Sequence, residues 1–191
     1  EYTLSPAADS FLSFVKPTLS DQDIQAAVNC LESGWIATGP RVAEFEKSLQ
    51  AYCKIPHALA LTSGTAALHL ALLALNLKEG DEVITTPLTF IATLNTIVLA
   101  GGKPIMSDIE PDTFNIDIKK VAEKITPHTR AVVPVHFGGA PVDLDPLYDL
   151  AKKHGFRVIE DAAHAIGTEY KGRKMGALEI LRHSAFTPIK T

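Results

Sequence analysis

The stretch "DEVITTPLTFIATLNTIVLAGGKPIMSD" (81–108) decides the fold. "DEVITT" is a short β-branched, apolar run that reads as a strand. "TFIATLNTIVLAG" (89–101) reads as a helix and closes on Gly101, while "KPIMSD" (103–108) reads as a second strand. Apolar strands joined through helices of about ten residues pair side by side in parallel and bury both faces.

The same alternation extends in both directions. "HALALT" (57–62) is expected to be a strand and "TAALHLALLAL" (65–75) a helix. "IDIKKVAEKI" (116–125) and "LDPLYDLAKKHG" (144–155) are expected helices, and "RAVVPVH" (130–136) and "RVIED" (157–161) expected strands. "GTEYKGRKMG" (167–176) breaks the rhythm with a hairpin around Lys171 and Gly172. Nearer the N-terminus, Ser20 and Asp23 are spaced like a capping box, and Gly34 suits the left-handed stop of that helix. Pro40 opens a second helix after the loop "WIATGP" (35–40). The fold class expected is α/β, a mostly parallel sheet with helices on both faces. Residues 14–191 are expected to form one domain, with 1–13 an N-terminal extension or tag remnant.

At 191 residues, with 46% apolar and 21% charged residues, the chain can bury a sizeable core. The 18 basic and 22 acidic residues form no basic block, which argues against a nucleic-acid partner. No apolar run is long enough to span a bilayer. Cys30 and Cys53 have no His or Cys at metal-ligand spacing, so no metal site is expected. Both read as free thiols in a reducing cytoplasm.

In open parallel sheets ligands bind at the carboxyl ends of the strands. "LTSGTAAL" (61–68) puts Ser63, Gly64 and Thr65 at a helix start, either a plain N-cap or a cradle for a phosphate. Phe90 follows the next strand, as a core residue or as a stacking surface for a planar ligand. Asp161 ends an apolar strand beside Glu160, as a helix N-cap or as the partner of a protonated ring nitrogen. Lys190 is a solvated charge unless burial or neighbouring charge lowers its pKa enough to make it a nucleophile. Together a phosphate cradle, an aromatic, an acid and a lysine are what pyridoxal 5'-phosphate requires.

Seven ordered motifs carry a resemblance: "GWIATGPRVAEFE", "SGTAALHLALLAL", "GDEVITTPLTFIAT", "GGKPIMSDIEPDTFNID", "ITPHTRAVVPVHFGG", "VIEDAAHAIGTEYKGRKMG" and "FTPIK". From about Phe14 to Lys190 the chain resembles the N-terminal half of a DegT/DnrJ/EryC1/StrS family aminotransferase, a fold-type-I pyridoxal phosphate enzyme. The resemblance implies a cofactor phosphate bound at Gly64, Thr65 and Ala66, with Phe90 stacked on the pyridine ring. It implies Asp161 at the ring nitrogen, His164 at the phenolic oxygen and Lys190 as the Schiff-base lysine. Trp35, Ile36 and Thr38 fall where a sugar substrate would be contacted. The implied reaction moves an amino group from glutamate to a nucleotide-linked ketosugar, with the UDP-4-ketosugar branch the nearest in motif. A homodimer in the cytoplasm is the family expectation.

Two departures stand out. Ala185, with Ser184 beside it, occupies a position where close relatives carry a phosphate-binding Ser, and "LEILRHSA" (178–185) replaces the usual Gly-Asp and apolar run. Family members are also about twice this length, so a catalytically inactive remnant or regulatory fragment is the alternative expectation. An unrelated nucleotide-binding domain is disfavoured by the lack of a G-x-G-x-x-G or Walker A run.

Overall fold

A computed structural model describes residues 17–175. Lys190, Ala185 and the rest of 176–191 lie outside the described residues, as do residues 1–16. The chain divides into two compact units, Glu1–Glu44 and Phe45–Thr191.

In the first unit, helix α1 (Asp21–Glu32) begins as its sequence dictates. The Asp23 N–H donates to Ser20 Oγ at 3.2 Å and the Ser20 N–H donates to Asp23 Oδ2 at 2.8 Å, a reciprocal capping box. The Ser20 N–H, and after it the Ser20 hydroxyl, which also donates to Asp23 Oδ2 at 2.8 Å, hold the Asp23 carboxyl below its ordinary pKa. Gly34 follows with φ +74°, where a side chain would be strained. In the loop beyond, a Cβ on Gly39 would lie 2.9 Å from the Trp35 ring, so the indole covers a position only glycine can occupy. Helix α2 (Pro40–Cys53) opens on proline, whose missing N–H costs nothing at a first helical position.

The second unit holds a four-stranded parallel sheet in the order β2-β1-β3-β4, with β1 Glu82–Thr85, β2 Lys103–Met106, β3 Thr129–Val133 and β4 Arg157–Val158. Helices α3 (Gly64–Leu73), α4 (Ile91–Leu99), α5 (Ile118–Lys124) and α6 (Leu144–His154) cover its two faces. The pleat sends successive residues to opposite sides. Val83, Ala131, Val133 and Ile159 therefore pack with Leu68, Leu72 and Ile97 of α3 and α4. Their neighbours Ile84, Val132 and Val158 pack with Val121, Leu144 and Leu147 of α5 and α6. Continuous apolar runs such as "RAVVPV" are what such a doubly covered sheet demands. No helix among the described residues is long and apolar enough to cross a membrane.

The hairpin falls where expected. Strands β5 (Glu169–Tyr170) and β6 (Arg173–Lys174) pair antiparallel across Lys171 (φ +48°) and Gly172 (φ +76°), a turn whose twist matches that of its strands. One expected strand does not form. Residues 57–62 have no sheet partner among the described residues. The Ala60 N–H instead donates to Glu46 Oε1 of α2 at 2.9 Å, so a side chain satisfies the amide in place of a neighbouring strand.

At the amino edge of the sheet Asp81 accepts from the Lys78 N–H at 2.8 Å and from Arg130 Nε at 2.7 Å. The Lys78 amide, and after it the guanidinium, hold the Asp81 carboxyl below its ordinary value of 3.8. A carboxyl depressed in the folded state stabilises above its unfolded pKa and loses that contribution as pH falls through the folded value. Asp81→Ala is expected to cost about 2 kcal/mol at neutral pH. In urea titrations the gap from the parent should narrow below about pH 4, the ordinary carboxylate value.

Candidate active site

The topology fixes where a ligand can enter. From β1 the chain moves through α4 to β2 on one side, then through α5 to β3 on the other. The order therefore reverses at β1 and β3, and the carboxyl ends of these strands are where open parallel sheets bind ligands. Three segments lead into that edge: 86–90 after β1, 134–139 after β3 and 159–164 after β4. Helix α3 precedes β1 and packs Leu68 and Leu72 in the same core as Val83.

The ladder between β3 and β4 runs past both strands. Ile159 N–H donates to the Val132 carbonyl at 3.0 Å, Asp161 N–H to that of Pro134 at 2.9 Å, and His136 N–H to that of Asp161 at 3.1 Å. Asp161 is thus fixed by its backbone on both sides. Its half-buried carboxylate accepts from Thr93 Oγ1 at 3.1 Å, and more weakly from the Ala163 N–H at 3.3 Å.

Phe90 is the N-cap of α4, and its side chain makes no capping bond. At 73% exposure it is not part of the core. The Thr93–Asp161 bond joins the first turn of α4 to the end of β4, so the segments bearing Phe90 and Asp161 meet. Gly64 and Thr65 lie exposed in the first turn of α3. Ser63 Oγ accepts from the Ala66 N–H at 3.1 Å, and the Ala67 N–H donates to the Ser63 carbonyl. Amides of the first turn have no carbonyl partner within their own helix, so Gly64 and Thr65 present theirs outward at the positive end of the helix dipole. A Cβ at Gly64 would meet nothing within 4 Å, which leaves space for a ligand to approach.

His164 is exposed and stacks edge-on against Phe137, with ring centroids 6.2 Å apart; Phe137 meets Phe114 the same way at 6.0 Å. Its Nδ1 accepts from the Gly138 N–H at 3.4 Å, which leaves the ring proton on Nε2, available to an acceptor. Gly139 (φ +86°) passes so close that a Cβ there would lie 3.0 Å from the His164 carbonyl.

Behind Asp161 lies a network that sequence reading did not find. His136 is fully buried, and its Nδ1 accepts from the Val142 N–H at 3.0 Å. The ring proton is therefore on Nε2, 3.2 Å from Glu160 Oε2, while Tyr148 donates to Glu160 Oε1 at 2.5 Å. Asn115, also buried, accepts from the Phe137 N–H and donates to the Ala140 carbonyl, fixing the 137–140 turn beneath His164. The one available signal was Glu160, a second carboxylate at the end of an apolar strand.

Trp35, Ile36 and Thr38 lie exposed in the first unit. Lys190 lies outside the described residues. Among the described residues no group of three or more His, Cys, Asp or Glu is placed to hold a metal ion.

Residues 17–191 match the model of the DegT/DnrJ/EryC1/StrS aminotransferase family. The chain belongs to this family. Among solved structures it is similar to an aminotransferase from Psychrobacter cryohalolentis, at 38% identity and a TM-score of 0.81 over 85% of this chain and 42% of the other. It is similar to S. venezuelae DesV, solved with a ketimine intermediate, at 41% identity and a TM-score of 0.77, over 81% and 42%. A Streptococcus pneumoniae protein described as a sugar aminotransferase, in its PLP form, matches at 35% identity and a TM-score of 0.82, over 87% and 46%. The chain thus spans under half the length of each of these DegT/DnrJ/EryC1/StrS relatives.

Pyridoxal phosphate is the cofactor expected for the DegT/DnrJ/EryC1/StrS family. The described residues fit it in chemistry: outward amides at a helix N-terminus suit a phosphate, a bare aromatic suits a pyridine face, and an anchored carboxylate suits a cationic ring nitrogen.

Proposed function

We propose that this chain is the cofactor-binding part, residues 14–191, of an aminotransferase that moves an amino group from glutamate to a nucleotide-linked ketosugar. The meeting of Asp161 with the α4 turn that bears the exposed Phe90 is the observation that carries this reading. The segment holds a carboxylate and an aromatic face at the edge where parallel sheets bind ligands.

In this reading Gly64, Thr65 and Ala66 receive the phosphate, and the anion competes with Ser63 Oγ for the Ala66 amide. Phe90 covers one ring face and excludes water from it. Asp161 keeps the ring nitrogen protonated, and His164 offers its Nε2 proton to the phenolic oxygen. Lys190 would hold the cofactor covalently, and its amine would serve as the base that moves the proton in the reaction. When bound, pyridoxal phosphate supplies the electron sink for the bond that breaks at the amine-bearing carbon. The loop at Trp35, Ile36 and Thr38 contacts the sugar. The motifs "GWIATGP" and "ITTPLTF" support a UDP-4-ketosugar, with cell-surface glycan or secondary-metabolite sugar synthesis as the setting. The working form in this reading is a cytoplasmic homodimer.

Reductive trapping tests the proposal. The chain is mixed with pyridoxal phosphate, reduced with borohydride, and the adduct located by peptide mass spectrometry. Labelling confined to Lys190 and lost in Lys190→Ala is the expected result. Labelling scattered over other lysines, or none, would overturn it.

A further inference from the structure

Thr93 is 1% exposed, and a hydroxyl that deep is costly unless both its proton and its oxygen are used. Packing alone would be served as well by valine, which has the same shape and no polar atom to satisfy. The neighbouring Thr96 shows the ordinary solution: its Oγ1 donates back to the Ala92 carbonyl of its own helix at 2.8 Å. Thr93 does otherwise. Its Oγ1 points away from α4 and donates to Asp161 Oδ2 at 3.1 Å, across 68 residues of sequence.

The direction of the adjoining bond follows. Thr89 Oγ1 lies 2.8 Å from Thr93 Oγ1, and the single Thr93 proton is already committed to a carboxylate that can only accept. Thr89 is therefore the donor, and the chain of hydrogen bonds runs Thr89 to Thr93 to Asp161. Donation from Thr89 polarises the Thr93 hydroxyl and strengthens its bond to the carboxylate. Thr89 immediately precedes Phe90, so the relay also ties the aromatic's segment to the acid.

We propose that Thr93 is a positioning residue for cofactor binding: its hydroxyl, backed by Thr89, holds Oδ2 and with the longer Ala163 N–H bond to Oδ1 (3.3 Å) fixes the plane of the Asp161 carboxylate, leaving the second lone pair of Oδ1 for the pyridine nitrogen. The inference rests on the reading that Asp161 faces that nitrogen. A carboxylate held by neutral donors keeps its charge and loses its rotational freedom, which is what a lasting ion pair with a ring N–H needs.

The test compares the parent chain with Thr93→Val and Thr93→Ser. Each is titrated with pyridoxal phosphate, the absorption of the bound cofactor is followed against pH, and cofactor-free thermal unfolding is measured beside it. Thr93→Val is expected to weaken cofactor binding about tenfold, the worth of one hydrogen bond to a charged group. Its bound-cofactor spectrum should show an altered pH profile, while the cofactor-free melting temperature stays at the parent's value. Thr93→Ser should restore both binding and profile. Equal affinity and an unchanged profile in Thr93→Val would overturn the inference while leaving the function intact. So would a Thr93→Ser variant as weak as Thr93→Val, or a cofactor-free melting temperature that falls in step with affinity. A parent chain that binds no cofactor would overturn the functional reading and this inference together.

Discussion

Under the proposed function, Asp161→Asn is expected to lower the transamination rate by two to three orders of magnitude, the scale for losing a charge aimed at a developing charge in a shielded site (roughly 10²–10³). The substitution is chosen because it spares the structure. An asparagine carbonyl still accepts from Thr93 Oγ1, and the backbone bonds from Asp161 to Pro134 and from His136 to Asp161 are untouched. What disappears is the negative charge that, in the proposed function, would keep a ring nitrogen protonated. Its loss should act on the chemical step more than on binding, so kcat is expected to fall further than KM rises. Pyridoxal phosphate affinity should drop by about tenfold, the scale of one charge-assisted hydrogen bond. Single-turnover rates with glutamate, beside a cofactor titration, would separate the two effects. A rate within about threefold of the parent, a small effect on this scale, would remove Asp161 from the ring nitrogen.

Glu160→Ala should be the most destabilising of the changes considered, at about 3 kcal/mol. Its carboxylate is the acceptor for the buried His136 Nε2 and for the half-buried Tyr148 OH. The imidazole cannot escape by changing tautomer, because Nδ1 is already engaged by the Val142 N–H. With the carboxylate gone, the fully buried His136 Nε2–H loses its acceptor inside the core at the desolvation penalty of a polar group, and the half-buried Tyr148 loses its bond to Glu160. Glu160→Gln is the informative companion. Its carbonyl serves one donor, but its NH₂ group then faces the other, so it should cost about half as much. Urea midpoints with unchanged slope would measure both. If Glu160→Gln unfolded at the parent's midpoint, the network would be ornamental to stability.

Neither of these residues acts alone, and the reason lies in the strand. Glu160 and Asp161 are consecutive, so the pleat turns them to opposite sides of the sheet. Glu160 enters the core with α6 and the His136 segment, while Asp161 points toward α4. One carboxylate secures the strand end and the other is presented by it.

Much of the architecture was legible because its causes are local. The Ser20–Asp23 box, the Gly34 and Gly155 stops and the Lys171–Gly172 turn each depend on residues a few positions apart. The alternation of apolar runs with helical periods gave the parallel sheet and its two covers. Asp161 and Phe90 were singled out as candidates by a rule of the same kind, since ligand sites in such sheets follow strand ends, and Gly64 by its place at a helix start.

The residues alone could not show which side of β1 each strand would take, and that order decides at which carboxyl ends such a sheet binds ligands. They also suggested a strand at 57–62, because apolar pattern reports a tendency to extend and not the presence of a neighbour to pair with. Phe90 could have been core or surface until α4 was placed and left it bare. The partnerships of Thr93 with Asp161 and His136 with Glu160 span 68 and 24 residues. The sequence by itself determined the elements and the chemistry at their ends, because caps, turns and periodicity are settled by neighbours along the chain. Only the tertiary structure decided which of those groups meet, because a buried hydroxyl or carboxylate takes its role from whichever donor or acceptor folding brings within about 3 Å.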